Sequence, residues 1–274
     1  MLEFRDYALI LGASSGFGQA CAYALAEGGF NIIGVHLDRA ATLPKVQETI
    51  EGIEQRGAKA IFFNTNAADA ERRAEVVAAI SSELAANKGA SVKVMLHSLA
   101  FGTLLPFIGE SPLQSATQKQ VEMTLDVMAN TLVYWTQALV FDNLLGEGSR
   151  IFALTSAGSR RVLPTYGIVS AAKAALESYV RQLALELAPH GITINAICAG
   201  VTDTPALRRI PGNDIIMKHA HMRNPHHRLT IPDDVAKVLA LLVRPEAAWI
   251  TGTTINVDGG EEAVDLTWWK NPRE

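Results

Sequence analysis

Tyr166 and Lys173 stand seven residues apart in T-Y-G-I-V-S-A-A-K-A-A-L, an Ala-rich stretch that reads as a helix. Seven residues make about two turns at 3.6 residues per turn, so a phenol and an ammonium on such a helix project from one face. A cation beside a phenol favours the phenolate. Tyr166 would then be a better proton donor or oxyanion stabiliser than a free phenol of pKa ~10. Ser156, at the end of the preceding apolar run, can bring a second hydroxyl to the same oxygen. The plain alternative is a surface tyrosine and a solvated lysine on an ordinary helix. The neighbouring motifs decide between the two.

The chain opens with an apolar run, Tyr7 to Leu11, then G-A-S-S-G-F-G (Gly12 to Gly18), then an Ala-rich helix from Gln19 to Glu27. Strand, glycine-rich turn and helix make the first unit of a dinucleotide site. Gly12, Ser14, Ser15, Gly16, Phe17 and Gly18 would let the backbone approach a pyrophosphate at the helix N-terminus. A tight turn with no ligand is the bland alternative. A second buried strand, Phe30 to Val35, ends in V-H-L-D-R, where a ribose 2′-hydroxyl would look for an acid. His36 stands at that position, Asp38 can accept the hydroxyl, and Arg39 can pair with a 2′-phosphate. Arg39 tilts the expectation to NADP(H) over NAD(H).

Helix Lys45 to Arg56, strand Ala60 to Asn64 and helix Glu71 to Ala86 follow, with Asn66 and Ala67 placed near an adenine edge. Strand Val92 to Leu96 ends in H-S-L-A-F, which offers Ser98 and Leu99 to the cofactor and Phe101 as an apolar substrate wall. A helix is expected from about Ala116 through Leu145, then a strand from Ile151 to Thr155. The tyrosine–lysine helix runs to Leu187, and a sixth strand spans Ile192 to Ile197. After it, Thr202 and Thr204 can hold a carboxamide or pyrophosphate. Arg208 to Leu229 shows no periodicity. Helix Asp233 to Val243 and strand Thr254 to Val257 close the pattern. Alternating strands and helices predict an α/β fold: one Rossmann-type domain over residues 1–274, with a doubly wound parallel sheet of about seven strands and helices on both faces.

The composition bounds the partners. Of 274 residues, 49% are hydrophobic and 19% charged, with net charge −4, which gives no reason to expect nucleic-acid binding. No apolar run reaches membrane-spanning length, and the N-terminus lacks a signal-peptide layout. Cys21 and Cys198 read as packed small hydrophobes, which suits a reducing compartment, so a cytoplasmic protein is expected. Residues 204–229 carry Arg208, Arg209, Lys218, Arg223 and Arg228 against one acid, Asp214. This excess suits an anionic substrate handle, or simply a solvated segment. His219, His221, His226 and His227 raise a metal site, but no cysteine or spaced carboxylate supports one, so no metal is expected.

G-A-S-S-G-F-G, the tyrosine–lysine helix, N-A-I-C-A-G (Asn195 to Gly200) and T-G-T-T-I-N-V-D-G-G (Thr251 to Gly260) together resemble the short-chain dehydrogenase/reductase family over essentially the whole chain. The resemblance implies a nicotinamide cofactor, a substrate lid over residues 204–229 after the sixth strand, and commonly a tetramer, with a dimer as the smaller assembly. The usual family helix carries Y-x-x-x-K. Here Val169 takes that tyrosine's place, and Tyr166 lies one turn earlier. The spacing Y-x6-K, with R-R-V-L-P-T-Y before it and H-S-L-A-F in place of N-N-A-G, resembles the divergent enoyl-acyl-carrier-protein reductases. Ordinary members place a relay asparagine where Met128 aligns, in D-V-M-A-N, and a shifted register would put Asn130 there. Ser156 stands where many enoyl reductases have a second tyrosine.

The resemblance implies NAD(P)H-dependent reduction of an enoyl thioester carried by acyl carrier protein or coenzyme A, in fatty-acid metabolism. Tyr166 would be aimed at the thioester oxygen, and Lys173 would bind the nicotinamide ribose. A ketoreductase needs the same tyrosine. A non-catalytic nucleotide sensor would have no use for it. Trp268-Trp269 would pack at a subunit contact or over the core.

Overall fold

The computed structural model of the protein describes residues 4–264. Strand β1 (Tyr7–Leu11) is buried at every position, because Tyr-Ala-Leu-Ile-Leu has no polar alternation and both its faces are covered. The strands β2 (Asn31–His36), β3 (Ala60–Asn64), β4 (Val92–His97), β5 (Arg150–Ser156), β6 (Thr193–Ala199) and β7 (Thr254–Val257) join it. They form one sheet in the order β3-β2-β1-β4-β5-β6-β7, parallel throughout. The order reverses between β1 and β4, so a crevice opens outside their carboxyl ends, where such sheets bind ligands.

Two apolar layers cover the sheet. One packs Trp135 and Leu139 of α5 (Thr131–Phe141), Leu176 and Val180 of α6 (Gly167–Leu187) and Ile80 of α3 (Ala70–Ala86) onto one face. The other packs Cys21 and Leu25 of α1 (Gly16–Glu27), Ile53 of α2 (Leu43–Glu54) and Leu239 of α8 (Pro232–Leu242) onto the opposite face. Both cysteines are buried free thiols, and burial raises each above its ordinary pKa. Among the described residues no helix is long and apolar enough to cross a membrane.

Three departures from the sequence expectations bear on the site. The long helix expected to Leu145 is α4 (Gln118–Leu125), a π-helical turn over Asp126–Asn130, and α5 ending at Phe141. The Thr131 hydroxyl donates to the Val127 carbonyl at 2.8 Å within that turn, and π-turns of this kind gather at functional sites. Strands β4, β5 and β6 run one or two residues further than expected, so His97 and Ser156 are strand residues paired to their neighbours. Helix α7 (Asn213–Arg223) lies in the stretch without periodicity. It buries only Ala220 among its residues, so it carries no apolar stripe to read.

The turn after β1 has no room for side chains. Gly12 has φ +91°, and a Cβ there would sit 2.5 Å from the Ser98 carbonyl oxygen. A Cβ on Gly18 would collide with the Gly12 carbonyl oxygen, so α1 approaches the turn as closely as backbone allows. Gly18→Ala is therefore expected to destabilise the fold by about 1–3 kcal/mol, the scale of an overpacked site, and to weaken nicotinamide nucleotide binding. Urea unfolding and a fluorescence titration with the nucleotide check both.

Candidate active site

The crevice fits a dinucleotide. At its floor the N-terminus of α1 is capped by Ser15 with no side-chain cap bond, so first-turn N–H groups are left for an anion. Gly16, at φ +55°, faces Thr204, whose methyl group would lie 3.6 Å from a Cβ there. Phe17 and Ser98 line the cleft beside this turn. Past β2, the Asp38 carboxyl is held below its ordinary pKa by hydrogen bonds from Thr42, Ser14 and His36, which outweigh burial. Buried His36 puts its Nδ1 3.0 Å from that carboxylate. A strand end, an anchored acid and the glycine turn thus meet at one end of the crevice.

Helix α6 and the end of β5 bring the expected trio together. Tyr166 caps α6 with φ −91° and ψ −1°, just outside the helix, and Lys173 lies buried inside it. The sequence reading has the Lys173 cation pulling the phenol down. The structure corrects this. Burial pushes Tyr166 above its ordinary pKa, opposed by a hydrogen bond with Ser156. The phenol is therefore a protonated donor at neutral pH. Ser156 is fixed in turn by the Gly158 N–H, which donates to its Oγ at 3.1 Å.

Lys173 donates from Nζ to the Leu154 carbonyl at 2.7 Å and to the Leu99 carbonyl at 3.4 Å. Burial lowers its pKa to about 8, against the supporting charge of Glu177. His97 is fully buried beside it. Its Nε2 lies 2.8 Å from Thr131 Oγ1, and because that hydroxyl donates to Val127, Nε2 must be the donor. Burial, and then the Lys173 charge, lower the His97 pKa to about 3, so the ring is neutral.

The cleft that receives these groups has a volume of about 220 Å³. Leu99, Phe101, Met128 and Val169 line it, together with Leu207 and Ile216 from the stretch 204–229. Met128 lines it from the π-helical turn. Asn130 does not replace the relay asparagine. Its carboxamide accepts from the Tyr179 hydroxyl at 2.9 Å and donates to Asp126, so the shifted register brings no amide into the cleft.

Several sequence candidates have other partners. Asn66 Oδ1 accepts the Ala68 N–H in a local turn, and the Ala67 carbonyl takes the Trp135 indole N–H at 2.9 Å. Thr202 donates to the Gly200 carbonyl, and Thr204 accepts the Leu207 N–H, although both line the cleft. Arg39 is exposed. The basic stretch 204–229 is largely neutralised by acids outside it: Arg208 pairs with Asp203 at 2.7 Å, Arg223 with Glu261 at 2.6 Å and Arg228 with Asp234 at 2.6 Å. The count of charges over residues 204–229 missed these acids because all three, Asp203, Asp234 and Glu261, lie outside that stretch. Among the described residues no cluster of three or more His, Cys, Asp or Glu can hold a metal ion. Trp268 and Trp269 lie outside the described residues. Sequence reasoning passed over Glu177, Glu261 and Glu262. The i,i+4 spacing of Lys173 and Glu177 was the one available signal.

The parallel sheet, glycine cradle and tyrosine–lysine helix define a short-chain dehydrogenase/reductase, a nicotinamide-dependent oxidoreductase. Residues 12–262 match the family described as enoyl-(acyl carrier protein) reductase, and the chain belongs to that family. It is 31% identical over 262 residues to 1-cyclohexenylcarbonyl-CoA reductase of Streptomyces collinus, covering 95% of this chain and 88% of the relative. The crystal structure of enoyl-acyl-carrier-protein reductase (NADH) from Aquifex aeolicus superposes with TM-score 0.80 at 26% identity, covering 96% of this chain and 98% of that one. The promiscuous reductase LugOII, which catalyses keto-reduction at C1 during lugdunomycin biosynthesis, gives TM-score 0.80 at 28% identity, over 95% and 98% of the two chains.

The buried Lys173 gives stability a defined pH dependence. Its pKa is about 8 folded and ~10.4 unfolded, so between these values the unfolded chain holds more protons. Lys173 should therefore contribute a share of the unfolding free energy that rises with pH across this window and is lost as pH falls through about 8. The raised Cys21 and Cys198 thiols give the opposite slope above their ordinary pKa. Lys173→Met should remove the lysine share and make stability fall more steeply with pH. Urea unfolding of both proteins at several pH values between 7.5 and 10.5 checks it.

Proposed function

We propose that the protein reduces the 2,3 double bond of an enoyl thioester with NAD(P)H, and that Tyr166, Lys173 and Ser156 carry the chemistry. The observation that carries this reading is the placement of Tyr166 at the cap of α6, with apolar Val169 and Met128 in the cleft where ordinary members have polar groups. When bound, the nucleotide would supply hydride to the β-carbon. Charge then grows on the thioester oxygen as an enolate, and Tyr166, fixed by Ser156, donates its hydrogen bond there. Preorganised donors of this kind contribute ~3 kcal/mol each. Lys173 would hold the nicotinamide ribose hydroxyls, and a proton drawn from solvent would reach the α-carbon to complete the product. Phe101, with Leu99 and Met128, excludes water from the acyl chain. The names of the relatives, one acting on a coenzyme A thioester and one on acyl carrier protein, support this substrate class.

Ketoreduction is the second reading, favoured by Ser156 beside the phenol and by the likeness to a keto-reducing enzyme. It uses the same Tyr166, with hydride going to the carbonyl carbon. Crotonyl-CoA turnover exceeding acetoacetyl-CoA turnover is the expected result, and the reverse order would install the ketoreductase. Tyr166→Phe should lower kcat by at least ~100-fold, the scale of removing one oxyanion donor, with nucleotide affinity near wild type. Steady-state kinetics and a binding titration measure the two, and a variant with most of its activity would end the proposal.

The cofactor preference turns on Asp38 and Arg39. The sequence leaned to NADP(H) through Arg39. The ionised Asp38 beside Ser14 instead supports a ribose 2′-hydroxyl and opposes a 2′-phosphate, so we read the site as selecting NAD(H), with Gly12 to Gly18 and Thr202 and Thr204 around the pyrophosphate and carboxamide. Asp38→Ala should lower kcat/KM for NADH more than for NADPH. A larger loss for NADPH in Arg39→Ala, with Asp38→Ala neutral, would return the preference to NADP(H). We further propose a cytoplasmic homotetramer or homodimer, supported by the exposed Phe141, Leu241 and Trp249. Arg209 and Lys218 carry no ion pair among the described residues, and Arg209 lines the cleft, which supports an anionic carrier on the substrate.

A further inference from the structure

Glu177 follows Lys173 by one turn of α6 and has no part in the chemistry described above. Its Oε1 accepts two hydroxyl hydrogen bonds, from Thr155 Oγ1 at 2.6 Å and from Ser159 Oγ at 2.8 Å. Those hydroxyls stand at the two ends of the segment that leaves β5. Between them lie Ser156, whose hydroxyl accepts the Gly158 N–H, and Gly158 itself, where an added Cβ would collide with the Tyr166 ring. One carboxylate oxygen on a rigid helix therefore ties both ends of a short turn, and the middle of that turn is the surface on which the phenol rests.

We propose that Glu177 is a positioning residue: by clamping Thr155 and Ser159 it holds Ser156 and Gly158 against Tyr166 and so fixes the direction of the phenol O–H. The proposal rests on Tyr166 being the donor. A carboxylate fits this task because its oxygen has two lone pairs for two donors, and hydrogen bonds to a charged acceptor are roughly twice as strong as neutral ones. The clamp also sets how close the turn comes to the ring. Gly158 is needed because the spacing leaves room for backbone alone.

Glu177→Ala, Glu177→Gln and the double variant Thr155→Val/Ser159→Ala test it in the full chain, assayed with NADH and crotonyl-CoA beside Tyr166→Phe. A nucleotide fluorescence titration counts folded sites. The alanine variant and the double variant should each lose kcat by roughly 10–100-fold per folded site, the scale of a small misplacement of a reacting group, with KM and nucleotide affinity within about twofold. Glu177→Gln, whose Oε1 still accepts both hydroxyls, should recover most of that loss. A purely structural glutamate would lower the number of folded sites and leave kcat per site unchanged, and that result would overturn the clamp. So would a glutamine variant as slow as the alanine one. Where Glu177→Ala fails to fold, the double variant decides, because it leaves the carboxylate in place. If Tyr166→Phe keeps its activity, the donor reading falls and the clamp's purpose with it. If Tyr166→Phe is inactive while Glu177→Ala is not, the clamp alone falls.

Discussion

The site depends on burying one ammonium. An isolated charge taken out of water costs several kcal/mol unless it is hydrogen-bonded and its field is answered, and Lys173 is answered by strand ends. The carbonyls of Leu154 and Leu99 are open to Nζ because β4 and β5 stop laddering there, at the edge of the crevice. Glu177 adds the nearby negative charge that offsets burial. The same helix that inserts the cation therefore also grips the strand end that solvates it. Moving α6 along β5 by one residue would strand the ammonium and undo the Ser156 and Gly158 contacts together.

That constraint explains why the surroundings are apolar. A neutral His97 sits beside Lys173, and its single defined bond runs to Thr131 in the π-helical turn. A protonated ring there would add a second buried cation. The π-turn in turn aims Met128 at the cleft and leaves Asn130 bonded to Tyr179. With few polar groups around it, the phenol keeps its proton, and a hydrogen bond made to a developing oxyanion is stronger than it would be in water.

Most of the fold was legible because parallel strands buried on both faces read as unbroken apolar runs. Tyr7–Leu11, buried at every position, falls where the sequence puts it. So do the half-buried edge strands Ala60–Asn64 and Thr254–Val257, which are not covered on both faces and read from their β-prone residues instead. Helix α7 was illegible for the opposite reason: its exposed histidines and charges leave nothing for periodicity to detect. At the site, residue types and spacing were enough to bring Tyr166, Lys173 and Ser156 together. The sign of the Tyr166 shift was not, because a sequence shows the neighbouring charge but not the depth of burial that outweighs it. Nor could it show that Arg223 is bound to Glu261, a residue 38 positions away that is 2% exposed.

The spacing itself has a mechanical meaning under the proposed reaction. Four residues before Lys173, a side chain lies on the same helical face and directly beside the ammonium. Val169 occupies that place, so the oxygen-binding group must come from further along the crevice. Tyr166 supplies it from the cap, where Thr165 at φ +61° and Gly167 bracket the ring and the backbone has left helical geometry. In carbonyl reduction the carbon that takes the hydride bears the oxygen, and the phenol must stand close to the nicotinamide ribose held by the lysine. In enoyl reduction the hydride lands two carbons away from the carbonyl carbon. The donor must then move outward while the lysine stays with the ribose. A tyrosine displaced by one turn, with a valine filling the vacated wall, meets that demand without moving the helix, and the buried lysine prevents the helix from moving in any case.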